Sequence, residues 1–186
     1  MAEGHRKDTA QALRNVYLTG FMCAGKTLAG RALARVLGRR FSDTDLIVRK
    51  TSSLTAGRHI RSKGLAAFRR AEAAAVRELA EKRGGVAALG GGYYPSGRRA
   101  PLLRATGVTV FLYCPWPELE RRLKKARAAR PLLAGPWAKA AARARKLYAA
   151  RLPYYRRADL TVNTSGLTPE STAARIAALL KERALA

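Results

Sequence analysis

Apolar residues along the chain fall into two alternating rhythms. Short, nearly unbroken apolar runs recur at long intervals, at 15–19 (NVYLT), 86–89 (VAAL), 108–114 (VTVFLYC) and 159–164 (DLTVNT), with a short piece at Phe41 and Ser42 as a fifth. They are rich in β-branched and aromatic residues and bounded by Gly, Pro or Asp, which marks strands. Because they do not alternate apolar with polar, both faces of these strands are expected to be covered. Between them, apolar residues recur at helical spacing over 27–38, 64–85, 115–130 and 168–183. The first of these stretches ends in Gly38, the third opens with prolines that suit a first turn, and the last begins at Thr168, a capping residue. Strands alternating with helices predict an α/β fold: a parallel sheet with helices on both faces. There is no internal repeat and no linker, so 14–186 reads as one domain behind a polar extension at 1–13. The stretch RPLLAGP at 130–136 is broken by Pro and Gly and flanked by basic residues, which predicts a mobile lid around 127–137.

With 186 residues and 48% hydrophobic content, the chain can build one ordinary core. No apolar stretch approaches the roughly 20 residues that span a bilayer. The opening MAEGHRKDTAQA lacks the apolar centre of a signal peptide, so a cytoplasmic location is expected, with no membrane partner. Cys23 and Cys114 have neither metal-type nor disulfide-framework spacing. Charge changes the picture more: 37 Lys and Arg stand against 12 Asp and Glu, a net +25. Such a surplus attracts polyanions, whether nucleic acid, nucleotides or phosphorylated metabolites. The basic residues are scattered without aromatic interleaving, so nucleic acid is not the expected partner, and a monomer is.

The most specific signal is GFMCAGKT, Gly20 through Thr27, between the first strand and the first helix. It meets the P-loop pattern in full. Glycines let backbone N–H groups turn inward as a nest for phosphate oxygens, and the following helix aims its positive end at the same place. Lys26 can then reach the β- and γ-phosphates, and the Thr27 hydroxyl can ligate Mg²⁺. Cys23 puts a side chain where the loop backbone is tight.

Further chemistry lies downstream. In FSDTD, Asp43 and Asp45 follow the short strand, and alternate residues of an extended segment point the same way. Two carboxylates can then face one site beyond the strand ends, where open α/β sheets bind ligands. A phosphoryl acceptor needs such a group to orient or deprotonate its hydroxyl, although Asp43 could instead cap the following helix. Arg69 has Glu72 one turn on, able to hold its guanidinium, but a solvated helix arginine has the same spacing. Gly90, Gly91 and Gly92 close a strand and permit close approach to a ligand. RPLL and RLPYYRRAD add Arg130 and Arg151.

Taken in order, GFMCAGKT, DTD, FRRAE, GGG, RPLL and RLPYY…AD resemble the shikimate kinase family of small P-loop kinases across nearly the whole chain. The resemblance implies a P-loop NTPase fold, similar to nucleoside monophosphate kinases, with a mobile lid. It implies that ATP and shikimate give ADP and shikimate 3-phosphate with Mg²⁺, in the biosynthesis of aromatic amino acids. It assigns Gly20, Cys23, Ala24, Gly25, Lys26, Thr27 and Leu28 to the nucleotide, and Thr27 and Asp43 to the metal. Asp45 would orient or deprotonate the attacking hydroxyl. Arg69 and Arg151 would clamp the substrate carboxylate, Gly91 would offer its backbone N–H, and Arg130 would place charge on the transferring phosphoryl group from the lid. The adenine would rest against the RPLL region and the VNTSG loop. The family usually has a glycine at Cys23 and an acid at Leu65, and the pair Tyr93 and Tyr94 is bulkier than the pattern. Two alternatives stay open: another small-molecule P-loop kinase with a different acceptor, and a basic nucleic-acid-binding protein on a kinase scaffold.

Overall fold

A computed structural model describes residues 14–94 and 100–185; the extension at 1–13 lies outside them. Five strands, β1 (Asn15–Thr19), β2 (Phe41–Asp43), β3 (Val86–Ala88), β4 (Gly107–Tyr113) and β5 (Leu160–Asn163), form one sheet in the order β2-β3-β1-β4-β5. Every pairing is parallel. The β1 and β3 residues are all buried, and in β4 only Tyr113 is less than buried, as expected of central strands covered on both faces.

Among the described residues there are seven α-helices: α1 (Lys26–Val36), α2 (Thr44–Ser52), α3 (Ala56–Glu81), α4 (Ala100–Thr106), α5 (Trp116–Lys125) and α6 (Trp137–Tyr155) between strands, and α7 (Pro169–Glu182) after the last. From β1 the chain moves through α1 to the edge strand β2; from β3 it crosses past β1 through α4 to β4, and β5 forms the other edge. Right-handed crossovers therefore set α1 and the later helices on opposite faces, and α7 returns to pack on α1. α3 breaks at Gly64, whose φ of +81° and ψ of 162° are not helical. The stretch expected to be helical over 115–130 stops at Lys125, and two 3₁₀ turns follow, Arg127–Ala129 and Pro131–Leu133.

α6 covers 138–150, to which the sequence pattern assigned no element, and takes in Arg151. It carries Pro153 inside and buries alanines, Ala140, Ala141 and Ala144, with Tyr148 and Tyr155. The expected lid lies between α5 and α6. It is anchored by Leu133, fully buried, and stitched by Arg127 donating to the Gly135 carbonyl (2.6 Å) and Arg143 to those of Leu132 (3.3 Å) and Ala134 (2.7 Å). Tyr93 and Tyr94 turn into the core, 2% and 3% exposed, so their bulk does not enter the cleft.

Candidate active site

The carboxyl ends of β1, β2 and β3 deliver the pieces. Beyond Thr19 the chain turns at Gly20, with φ +143°, where a Cβ would stand 2.8 Å from the Leu112 carbonyl oxygen. Only glycine fits so close to β4. Gly25, with φ +98°, caps α1, so the N–H groups of the first turn open toward the cleft. Lys26 lies at the helix start, its ammonium donating to the carbonyls of Gly20 and Phe21, both at 2.9 Å. Those bonds hold the side chain back over its own loop. Cys23 adopts φ +62°, a left-handed conformation that costs a non-glycine residue roughly 1–2 kcal/mol.

Asp43 ends β2 and serves two partners. One carboxylate oxygen accepts the Thr27 hydroxyl at 2.7 Å; the other caps α2 by accepting the N–H of Asp45 (3.0 Å) and Leu46 (3.4 Å). Capping and site-facing roles coexist because a carboxylate has two oxygens. Asp45 was expected on an extended segment, but it stands in the first turn of α2. It reaches the cleft because the helix begins there, not because strand residues alternate.

A cleft of about 240 Å³ gathers Lys26, Thr27, Asp43, Asp45, Gly91 and Arg130. Its atoms crowd the charged groups without sealing them from water. That enclosure lowers the Lys26 ammonium from its ordinary 10.5 to about 8, against the opposing pull of Asp45. The same enclosure raises the Asp45 carboxyl, and the Lys26 charge counters it. The two groups thus sense each other across the cleft.

Arg69 and Arg151 come to the glycine run from different helices. Arg69, on α3, pairs with the buried Glu72, and its guanidinium lies over Gly92. Arg151, on α6, donates to the Gly91 carbonyl at 3.0 Å. Gly90 lies beside Glu72 and Asp45: a Cβ there would be 2.3 Å from a Glu72 carboxylate oxygen and 2.9 Å from one of Asp45. The three glycines therefore form a floor on which two arginines and two acids converge.

Four contributing residues escaped the sequence. Tyr155, fully buried, donates its hydroxyl to the Gly91 carbonyl; burial pushes that phenol up to about 12, so it remains a donor throughout the physiological range. Its spacing of four from Arg151 would have revealed it, had α6 been recognised. Thr44 donates to the Ala88 carbonyl (3.3 Å) and accepts from the Gly90 N–H (2.8 Å), tying the glycine floor to α2. Arg121 and Arg122, both ion-paired with Glu118, line a second cavity of about 570 Å³ next to the P-loop. Thr164 and Gly166 complete one wall, and Cys23, Ala24, Gly25 and Leu28 another. Of the two stretches expected to meet the adenine, the VNTSG loop lines this larger cavity through Thr164 and Gly166, and RPLL lines the smaller cleft through Arg130.

A central parallel strand feeding a phosphate-type loop into a helix N-terminus, with an acid pair opposite and a basic lid segment, defines a P-loop kinase. Residues 22–181 match the family described as SKI: Shikimate kinase. A shikimate kinase of Geobacter sulfurreducens is 38% identical over 172 residues, 91% of this chain and 92% of its own. The solved shikimate kinase from Acinetobacter baumannii in complex with shikimate superposes with a TM-score of 0.86 at 31% identity, covering 96% of this chain and 99% of that one. That of Bacteroides thetaiotaomicron gives 0.85 at 32%, covering 91% and 99%. The chain belongs to the shikimate kinase family and is a phosphotransferase with an alcohol group as acceptor. No helix among the described residues is long and apolar enough to cross a membrane.

Proposed function

We propose that this chain transfers the terminal phosphoryl group of ATP to the 3-hydroxyl of shikimate, and that each site residue acts as follows. The observation that carries the proposal is the convergence of Lys26, Asp45 and Arg130 in one cleft, with Arg69 and Arg151 on the adjoining glycine floor. Gly20, Cys23, Ala24, Gly25, Thr27 and Leu28 cradle the nucleotide, its base in the larger cavity. The Lys26 ammonium turns from its loop carbonyls to the β- and γ-phosphate oxygens. Thr27 and Asp43 offer hard oxygen donors held 2.7 Å apart at the cleft, a set that suits Mg²⁺ completed by phosphate oxygens. When bound, that ion neutralises charge on the phosphates.

Arg69 and Arg151 hold the substrate carboxylate with guanidinium forks, and the Gly91 N–H meets a ring hydroxyl. Asp45 accepts the proton of the 3-hydroxyl as its oxygen attacks the γ-phosphorus and ADP departs; its raised affinity for a proton suits that task. Arg130 stabilises the equatorial oxygens in the transition state, a contribution of roughly 10³–10⁵ in related chemistry. Lid movement over 127–137 excludes water that would otherwise take the phosphoryl group.

A coupled ADP-release assay with shikimate, gluconate and a nucleoside tests this. Shikimate-dependent release is expected, and release with gluconate alone would transfer the reading to a different kinase. Asp45→Asn should lower kcat by orders of magnitude with ATP binding nearly unchanged. Arg151→Lys should raise the shikimate KM, because an ammonium cannot form the fork.

A further inference from the structure

Between residues 121 and 157 the chain carries thirteen Lys and Arg and not one Asp or Glu. Part of that charge is organised. Lys139, Arg143 and Lys146 follow one another at spacings of four and three, so they form one stripe along α6, and all three are exposed. The opposite face of the helix is the buried one, carrying Ala140, Ala144 and Tyr148. Arg143 reaches carbonyls of the lid segment, and Arg127 reaches the same segment from the other side. The stripe and the lid therefore form a single continuous basic surface. The hydrogen bonds of Arg127 and Arg143 go to neutral carbonyls, and neither residue is among the ion pairs of the described residues. Their guanidinium charge is not neutralised locally.

We propose that this stripe and the adjoining lid dock the sugar-phosphate backbone of duplex nucleic acid without reading its sequence. Between the cations Ala142 is exposed and small, Arg145 adds a further exposed cation, and the exposed Ala138, Ala149 and Ala150 flank the stripe, so nothing bulky and uncharged holds a phosphate chain away from the helix. Residues 139–146 include no aromatic, so the stripe offers no stacking platform, which favours a backbone over unstacked bases. A lipid surface fits less well. Among the described residues the exposed large apolar side chains are Leu28, Val36, Leu46, Leu65 and Tyr154. Of these Tyr154 alone is on α6, two turns past Lys146, so residues 139–146 themselves bring no large apolar side chain to enter the acyl layer. Docking of this kind releases counterions in proportion to the phosphates contacted, and is steeply salt-dependent.

The test uses the full chain and a fluorescein-labelled duplex DNA of about 20 base pairs, followed by anisotropy between about 50 and 200 mM salt. Two variants carry the same change in net charge: Lys139→Glu with Lys146→Glu on the stripe, and Lys50→Glu with Arg61→Glu on α2 and α3, also exposed. Neither pair belongs to the proposed catalytic or binding residues, and shikimate-dependent ADP release should survive in both, which shows that each variant is folded. The stripe variant is expected to lose at least about tenfold in affinity and to flatten the log–log salt slope by about 2, while the control pair moves both far less. Equal losses in the two variants would mean diffuse attraction by the whole molecule and would overturn the proposal. So would stronger retention on phosphatidylglycerol vesicles than on the duplex at the same ionic strength.

Discussion

Replacing Gly92 with alanine should disable the carboxylate clamp while leaving the fold alone. Its backbone lies outside the left-handed region, so alanine brings no conformational strain. A Cβ there would stand 2.1 and 2.4 Å from the two terminal nitrogens of Arg69 and 2.5 Å from the carbon between them. Ordinary contact begins near 3.4 Å, so the guanidinium must withdraw by more than 1 Å. The guanidinium is the far end of a flexible side chain and can turn about its ion pair with Glu72 rather than leave it, so the fold is spared while the fork toward the substrate is misaligned. One charge-assisted hydrogen bond is worth roughly 1.5–3 kcal/mol. Losing it from the complex should raise the shikimate KM by about 10- to 100-fold. The KM for ATP should be unchanged, kcat should fall less than about threefold, and Tm should stay within about 4 °C. Steady-state ADP release over a shikimate titration measures all but the last. In an Arg69→Ala background the same glycine substitution should add nothing, because its effect passes through that side chain. A KM within about threefold of the parent, or an undiminished effect without Arg69, would refute the reasoning.

Lys26 gives a pH signature. Its folded value of about 8 lies below its ordinary 10.5, so the unfolded chain binds the extra proton between them and stability should rise with pH across that window. Over the same window the free enzyme loses its ammonium, and kcat/KM for ATP should fall from about pH 8 while kcat holds to higher pH; a flat kcat/KM profile up to about pH 10 would exclude Lys26 from phosphate binding. Tyr155→Phe removes one donor to the Gly91 carbonyl but leaves that of Arg151. The shikimate KM should rise roughly 2- to 10-fold with kcat nearly constant, and an unchanged KM would make the hydroxyl purely structural. Cys23 lines both the cleft and the larger cavity, while Cys114 is buried. Iodoacetamide should therefore label Cys23 alone and inactivate the enzyme, with ATP protecting; labelling at the same rate with saturating ATP would place the thiol outside the nucleotide site.

What was legible in the chain was local. All five strands lie within two residues of where their β-branched runs placed them, and the P-loop sits at the strand-to-helix junction its pattern requires. The parallel sheet followed from their alternation with helices. α6 was not legible, because alanines form its core face and proline interrupts it, so no apolar stripe announced it. The convergence on the glycine floor was not legible either, since it joins α2, α3, α6 and β3 across long stretches of chain. Arg69 illustrates the difficulty: among so many arginines, its spacing from Glu72 carried little weight. Yet the signal lay in the other partner. Only 12 acids stand against 37 cations, and three of them, Asp43, Asp45 and Glu72, meet at this one sheet edge. Burying Glu72, 1% exposed, costs several kcal/mol unless it is paired. In a chain so poor in carboxylates, the two buried there, Asp43 and Glu72, are better guides to the site than any cation, because each must be compensated by groups the fold brings to it.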